Sequence, residues 1–160
     1  MNIRANIYKG VILDMDGVIT RTAALHAQAW KKMFDGVLEK HSGDGGEPQE
    51  PFDAVDDYRA YVDGKPRLEG LQSFLEVRDI KMPWGAPDDP AGAETVHGLG
   101  KLKNRFFLDL VKKEGVDIFP ESVLLAGRAR IADLPMAVVT SSKNGPLIME
   151  QSGLMSLFDT

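Results

Sequence analysis

The stretch Tyr8-Lys9-Gly10-Val11-Ile12-Leu13-Asp14-Met15-Asp16-Gly17 decides how this chain is read. Val11-Ile12-Leu13 is a short apolar run that stops at an acidic cluster, the pattern of a buried strand with polar groups at its C-terminal tip. In open α/β sheets that tip is where ligands bind. Gly17 permits a tight turn directly after it. Residues i and i+2 of a strand project to the same side, so Asp14 and Asp16 point together. Two carboxylates so placed can share a divalent cation. They can also divide labour, one attacking phosphorus and the other moving a proton. Mg²⁺ takes oxygen ligands, commonly one or two carboxylates with substrate phosphate. A calcium loop counted from Asp14 would need Gly at its sixth position and Glu at its twelfth; Ile19 and Leu25 stand there, which excludes it. A solvated acidic turn remains the alternative.

Outward from this motif, Thr22 is suited to cap a helix. Trp30, Met33, Phe34, Val37 and Leu38 follow at i, i+3, i+4, i+7 and i+8, which predicts a helix over 23–40. Further helices are predicted over 53–62, 66–78, 101–113, 121–132 and 143–152, and a second short strand over 136–139 that ends in Thr140-Ser141-Ser142. The order implies an α/β protein whose sheet is interrupted by an all-helical insert. The core takes 1–21 and 109–160 and the insert 22–108. The Gly43–Gly46 cluster lacks the Lys-Ser/Thr of a nucleotide-binding loop and reads as a flexible connection.

The 160 residues are 43% hydrophobic and 27% charged, enough apolar mass for a core. Twenty-four acidic against 19 basic side chains give a formal charge of −5, which disfavours nucleic-acid binding through the phosphate backbone. With no cysteine there is no disulfide framework, thiolate metal site or cysteine nucleophile. No apolar run approaches the roughly 18 residues of a membrane span. No signal-peptide core follows Arg4 and Lys9, so the expected location is the cytoplasm.

The segment Val11-Ile12-Leu13-Asp14-Met15-Asp16-Gly17-Val18-Ile19-Thr20 resembles the first motif of haloacid-dehalogenase-superfamily phosphotransferases, and is most similar to the β-phosphoglucomutase family. The resemblance implies a Rossmann-like core with a helical cap inserted after the first strand. It implies that Asp14 is the phosphorylated nucleophile and Asp16 the general acid/base. The metal would be Mg²⁺, held by Asp14 and the Asp16 backbone carbonyl. Ala137-Val138-Val139-Thr140-Ser141 resembles the second motif, which places Thr140 and Ser141 at the transferring phosphoryl group. Hydroxyl and amide donors at a strand-to-helix turn suit an anion; taken alone, Ser141 or Ser142 could equally be a helix cap. Val62-Asp63-Gly64-Lys65-Pro66-Arg67 resembles the cap segment whose arginine holds a distal phosphate, a task that suits the planar guanidinium of Arg67. A surface arginine at a helix start is the alternative. His26 stands at the cap hinge, and Lys103-Asn104 resembles the pair that binds the sugar.

The implied reaction is phosphoryl transfer on a sugar phosphate through an aspartyl-phosphate, converting β-glucose 1-phosphate to glucose 6-phosphate. A phosphatase acting on a small phosphate monoester would use the same residues. Two departures are visible. Arg21 stands where the family commonly has an acidic residue. The family's third-motif lysine and fourth-motif acidic pair would fall beyond Thr160. The expectation is therefore an incomplete core, weak activity or a phosphosugar-binding fragment, and an exposed edge at Val11–Leu13 that favours self-association.

Overall fold

The computed structural model describes residues 7–159. Two compact units divide the chain: residues up to Ala23 with those from Gly115 onward, and Ala24–Glu114. No helix among the described residues is long and apolar enough to cross a membrane.

The first unit is an α/β layer. Strand β1 (Val11–Asp14) pairs in parallel with β2 (Met136–Val139), in the register Val11↔Met136 through Asp14↔Val139. Helix α4 (Pro120–Ile131), opened by Pro120 in its first turn, packs against the sheet. Ala126, Ala129, Leu134 and Met136 form its core, with Val11, Leu157 and Phe158 against them. The opposite face carries Ile12, 70% exposed, and Val139, also exposed. The short helix α5 (Gly145–Gln151) follows β2.

The second unit is all helical. Helix α1 (Thr22–Gly43) leads into it, and α2 (Arg67–Val77) packs on α3 (Val96–Glu114). Its core is aromatic. Phe34 lies with ring centroids 4.1 Å from Phe74, 5.0 Å from Phe52 and 5.1 Å from Trp30. The spacing read from Trp30 to Leu38 is thus a buried stripe.

Three local expectations are corrected. The helix over 53–62 shrinks to a single π turn, Tyr58–Val62. The Asp53 carboxylate accepts the backbone N–H groups of Val55 and Asp56, both at 2.7 Å, and caps the turn that leads into it. Helix α3 begins five residues before the expected Lys101, because Thr95 Oγ1 accepts the Gly98 N–H at 3.0 Å and caps it. Gly98 and Gly100 hid that start, since glycine argues against a helix interior. Both are needed for close approach: a Cβ on Gly98 would lie 2.5 Å from the Ala93 carbonyl oxygen, and one on Gly100 2.7 Å from Leu68 Cδ2. Thr22 is helical rather than a cap, and its hydroxyl is committed elsewhere.

Candidate active site

At the end of β1 the chain alternates. Met15 is fully buried, whereas Asp14 is exposed and Asp16 partly so. Gly17, at φ +82°, then reverses the chain in a conformation that a Cβ would strain. The returning turn is fastened by the Ile19 and Thr20 N–H groups on the Met15 carbonyl, at 3.0 and 2.9 Å.

Parallel pairing brings the end of β2 beside this tip. Thr140 Oγ1 donates to Asp16 Oδ2 at 3.1 Å, and the Ser142 N–H donates to Thr140 Oγ1 at 3.0 Å. Gly145 permits this closeness, since a Cβ there would lie 2.8 Å from Thr140 Cγ2. Ser141 is exposed beside Thr140. Neither Ser141 nor Ser142 caps α5, whose cap position is Asn144 and has no side-chain cap bond. Asp14, Asp16, Thr140 and Ser141 therefore gather at the carboxyl ends of two parallel strands, the place where α/β sheets bind ligands.

Sequence reasoning missed two members of this cluster. Thr22 Oγ1 donates to Asp16 Oδ1, and Thr20 Oγ1 lies 2.7 Å from Thr22 Oγ1. Threonines one residue apart at a helix start look like capping candidates, so no signal in the chain marks this use. Arg21 stacks on the Phe119 ring at 4.1 Å and pairs with Asp117 at 3.2 Å.

The Asp14 carboxylate and the Asp16 carbonyl are hard oxygen donors at an exposed tip, a donor set that fits Mg²⁺. Among the described residues, no group of three His, Asp or Glu side chains is placed to hold a metal.

The helical unit contains the other predicted residues as a cluster of its own. Arg67 Nη2 donates to Asn104 Oδ1 at 2.8 Å, and burial pulls the Arg67 guanidinium below its usual range. Lys103 is 3% exposed, and its Nζ lies 2.7 Å from His26 Nδ1. The Trp30 and Phe107 rings lie 4.9 and 5.2 Å from that ammonium and stabilise it. His26 stacks on Phe107 with centroids 3.9 Å apart. Burial, reinforced by Lys103 and then Arg67, lowers its pKa from 6.5 to about 2. His26 is therefore neutral, and its Nδ1 accepts from Lys103.

No family model matches this chain. It is 44% identical over 146 residues to a β-phosphoglucomutase of Mycobacterium bovis, an alignment covering 91% of this chain and 56% of the relative. The chain thus spans about half the length of that curated relative. A β-phosphoglucomutase structure from Clostridium difficile superposes with a TM-score of 0.73 at 24% identity, covering 94% of this chain and 59% of that one. CbbY from Rhodobacter sphaeroides, solved with xylulose 1,5-bisphosphate, gives 0.64 at 20% identity, over 94% of this chain and 61% of that one.

Proposed function

Since the chain is a homologue of the β-phosphoglucomutases, with the α/β fold of haloacid-dehalogenase-type enzymes, we propose that its site transfers a phosphoryl group on a sugar phosphate through an aspartyl-phosphate. The observation that carries this reading is the Thr140–Asp16 hydrogen bond, which joins two motifs 124 residues apart at the tips of β1 and β2.

Asp14 Oδ attacks phosphorus and the bond from phosphorus to the sugar oxygen breaks. Asp16 gives its proton to that oxygen, so the sugar leaves as a neutral alcohol. In the second half the acceptor hydroxyl passes its proton to Asp16 and attacks phosphorus, and the Asp14 carboxylate departs. The Thr140 hydroxyl, turning from Asp16, and the Ser141 N–H take phosphoryl oxygens. Asp14 and the Asp16 carbonyl would hold Mg²⁺, which supplies positive charge against the phosphoryl oxygens. In the helical unit, Arg67 with Asn104 would bind the non-reacting phosphate and sugar hydroxyls, with Lys103 and His26 fixing that surface.

Phosphorus NMR of β-glucose 1-phosphate incubated with the chain and Mg²⁺ tests this. Glucose 6-phosphate is the expected product, and Asp14→Ala abolishes it. Inorganic phosphate alone replaces the mutase reading with hydrolysis. Turnover that survives Asp14→Ala refutes the nucleophile.

A further inference from the structure

We propose that Thr20, to which the first-motif resemblance gives no role, is a positioning residue that orients the Asp16 carboxylate by fixing the Thr22 hydroxyl. The inference rests on the role given to Asp16 above. Both threonines are sealed from solvent at 0% exposure, so neither touches a substrate. Their hydroxyls meet at 2.7 Å, and Thr22 Oγ1 reaches Asp16 Oδ1.

The second contact of Thr20 Oγ1 shows where its effect lies. It reaches the Met15 carbonyl oxygen at 3.2 Å, the longer of its two contacts. That oxygen already accepts the Ile19 and Thr20 backbone N–H groups at 3.0 and 2.9 Å. The turn therefore does not need the hydroxyl to satisfy its carbonyl. The Thr22 rotor does need a neighbour, because a hydroxyl hydrogen turns to suit its partners.

Thr20 is a firm anchor. Its N–H is on Met15, its carbonyl accepts the Gly17 N–H at 2.8 Å, and it bridges to Ile118. Two of the groups that hold Asp16 differ in character. Thr140 holds Oδ2 from an exposed position, where water and phosphoryl oxygens compete for its hydroxyl. Thr22 holds Oδ1 from a buried one, where hydrogen bonds are stronger. The buried side sets the carboxylate's direction, and Thr20 locks the buried side.

The test compares Thr20→Val, which keeps the shape and β-branch but loses the hydroxyl, with Thr20→Ser, which keeps the hydroxyl. Thr20→Ala replaces the valine variant if that protein melts early. The two substrates are β-glucose 1-phosphate, whose sugar oxygen needs a proton to leave, and acetyl phosphate, whose acetate does not. Thr20→Val is expected to lower kcat/KM about tenfold for the sugar phosphate and less than about twofold for acetyl phosphate, with Thr20→Ser close to the parent. Equal losses on both substrates, or no loss on the sugar phosphate, overturn the proposal. If the parent chain turns over neither compound, the function above fails, and Thr20 is judged on crystals of Thr20→Val. An Asp16 carboxylate unmoved on Thr22 then overturns the positioning role, and one that has swung away supports it.

Discussion

His26 makes the helical unit sensitive to acid, by an amount the structure fixes. In the folded chain its pKa lies at about 2, first through burial, then through Lys103 and Arg67; in the unfolded chain it returns to 6.5. Above pH 6.5 both states hold a neutral ring and no difference arises. As pH falls below 6.5 the unfolded chain takes up a proton that the folded chain refuses, so stability is lost, and continues to be lost down toward pH 2. Each full pH unit costs about 1.4 kcal/mol. Between pH 7 and pH 5 the integrated loss is about 2 kcal/mol, because the unfolded ring is mostly neutral at the first and nearly all charged at the second. His26→Gln removes the titration while its amide oxygen can still accept from Lys103. Both tryptophans, Trp30 and Trp84, lie in the helical unit, so urea titrations followed by their fluorescence report on it. The parent is expected to lose about 2 kcal/mol more than His26→Gln between pH 7 and pH 5. His41 and His97 remain in both proteins and cancel. Equal losses would show that His26 takes up its proton in the folded state, and would refute the buried, neutral ring.

Three further outcomes follow from the packing. Phe34→Ala removes the fully buried ring at the centre of the aromatic cluster and should destabilise the helical unit by about 3–5 kcal/mol in the same urea assay. Gly98→Ala should also destabilise it, by about 1–3 kcal/mol, although alanine is the better helix former, because the added Cβ meets the Ala93 backbone; a rise in melting temperature would refute that close approach. Ile12→Lys on the open sheet face should shift the sedimentation of the chain toward monomer at high concentration, while an unchanged profile would place any association elsewhere.

The α/β class was legible because one short string carries it. Val11–Leu13 and Met136–Val139 are apolar runs followed directly by oxygen-bearing side chains, Asp14 and Thr140, and the structure pairs the two strands in parallel. Helix faces with large apolar residues, such as Trp30 to Leu38, were equally plain. What stayed hidden has a common physical cause: a residue's local preference and its tertiary use can differ. Gly98 and Gly100 look like helix breakers, and only a neighbouring backbone or side chain makes their missing Cβ an advantage. Lys103 is by type a solvated cation, yet it is buried against two aromatic rings and a neutral histidine, which no local pattern announces.

The same distinction governs the site. Asp14, Asp16 and Thr140 stand out in the sequence because the proposed phosphoryl transfer would need those functional groups at strand tips. Thr20 and Thr22 do not, because orienting a carboxylate needs only a hydroxyl in the right place, and threonine supplies hydroxyls for many other purposes. Residues that react are therefore constrained by type and visible in a sequence. Residues that aim them are constrained by position and visible only in a structure. With Asp16 and Asp14 in their proposed roles, substitutions in the buried Thr20–Thr22–Asp16 chain should separate aim from chemistry: they should alter how well Asp16 would deliver a proton while leaving Asp14 free to attack.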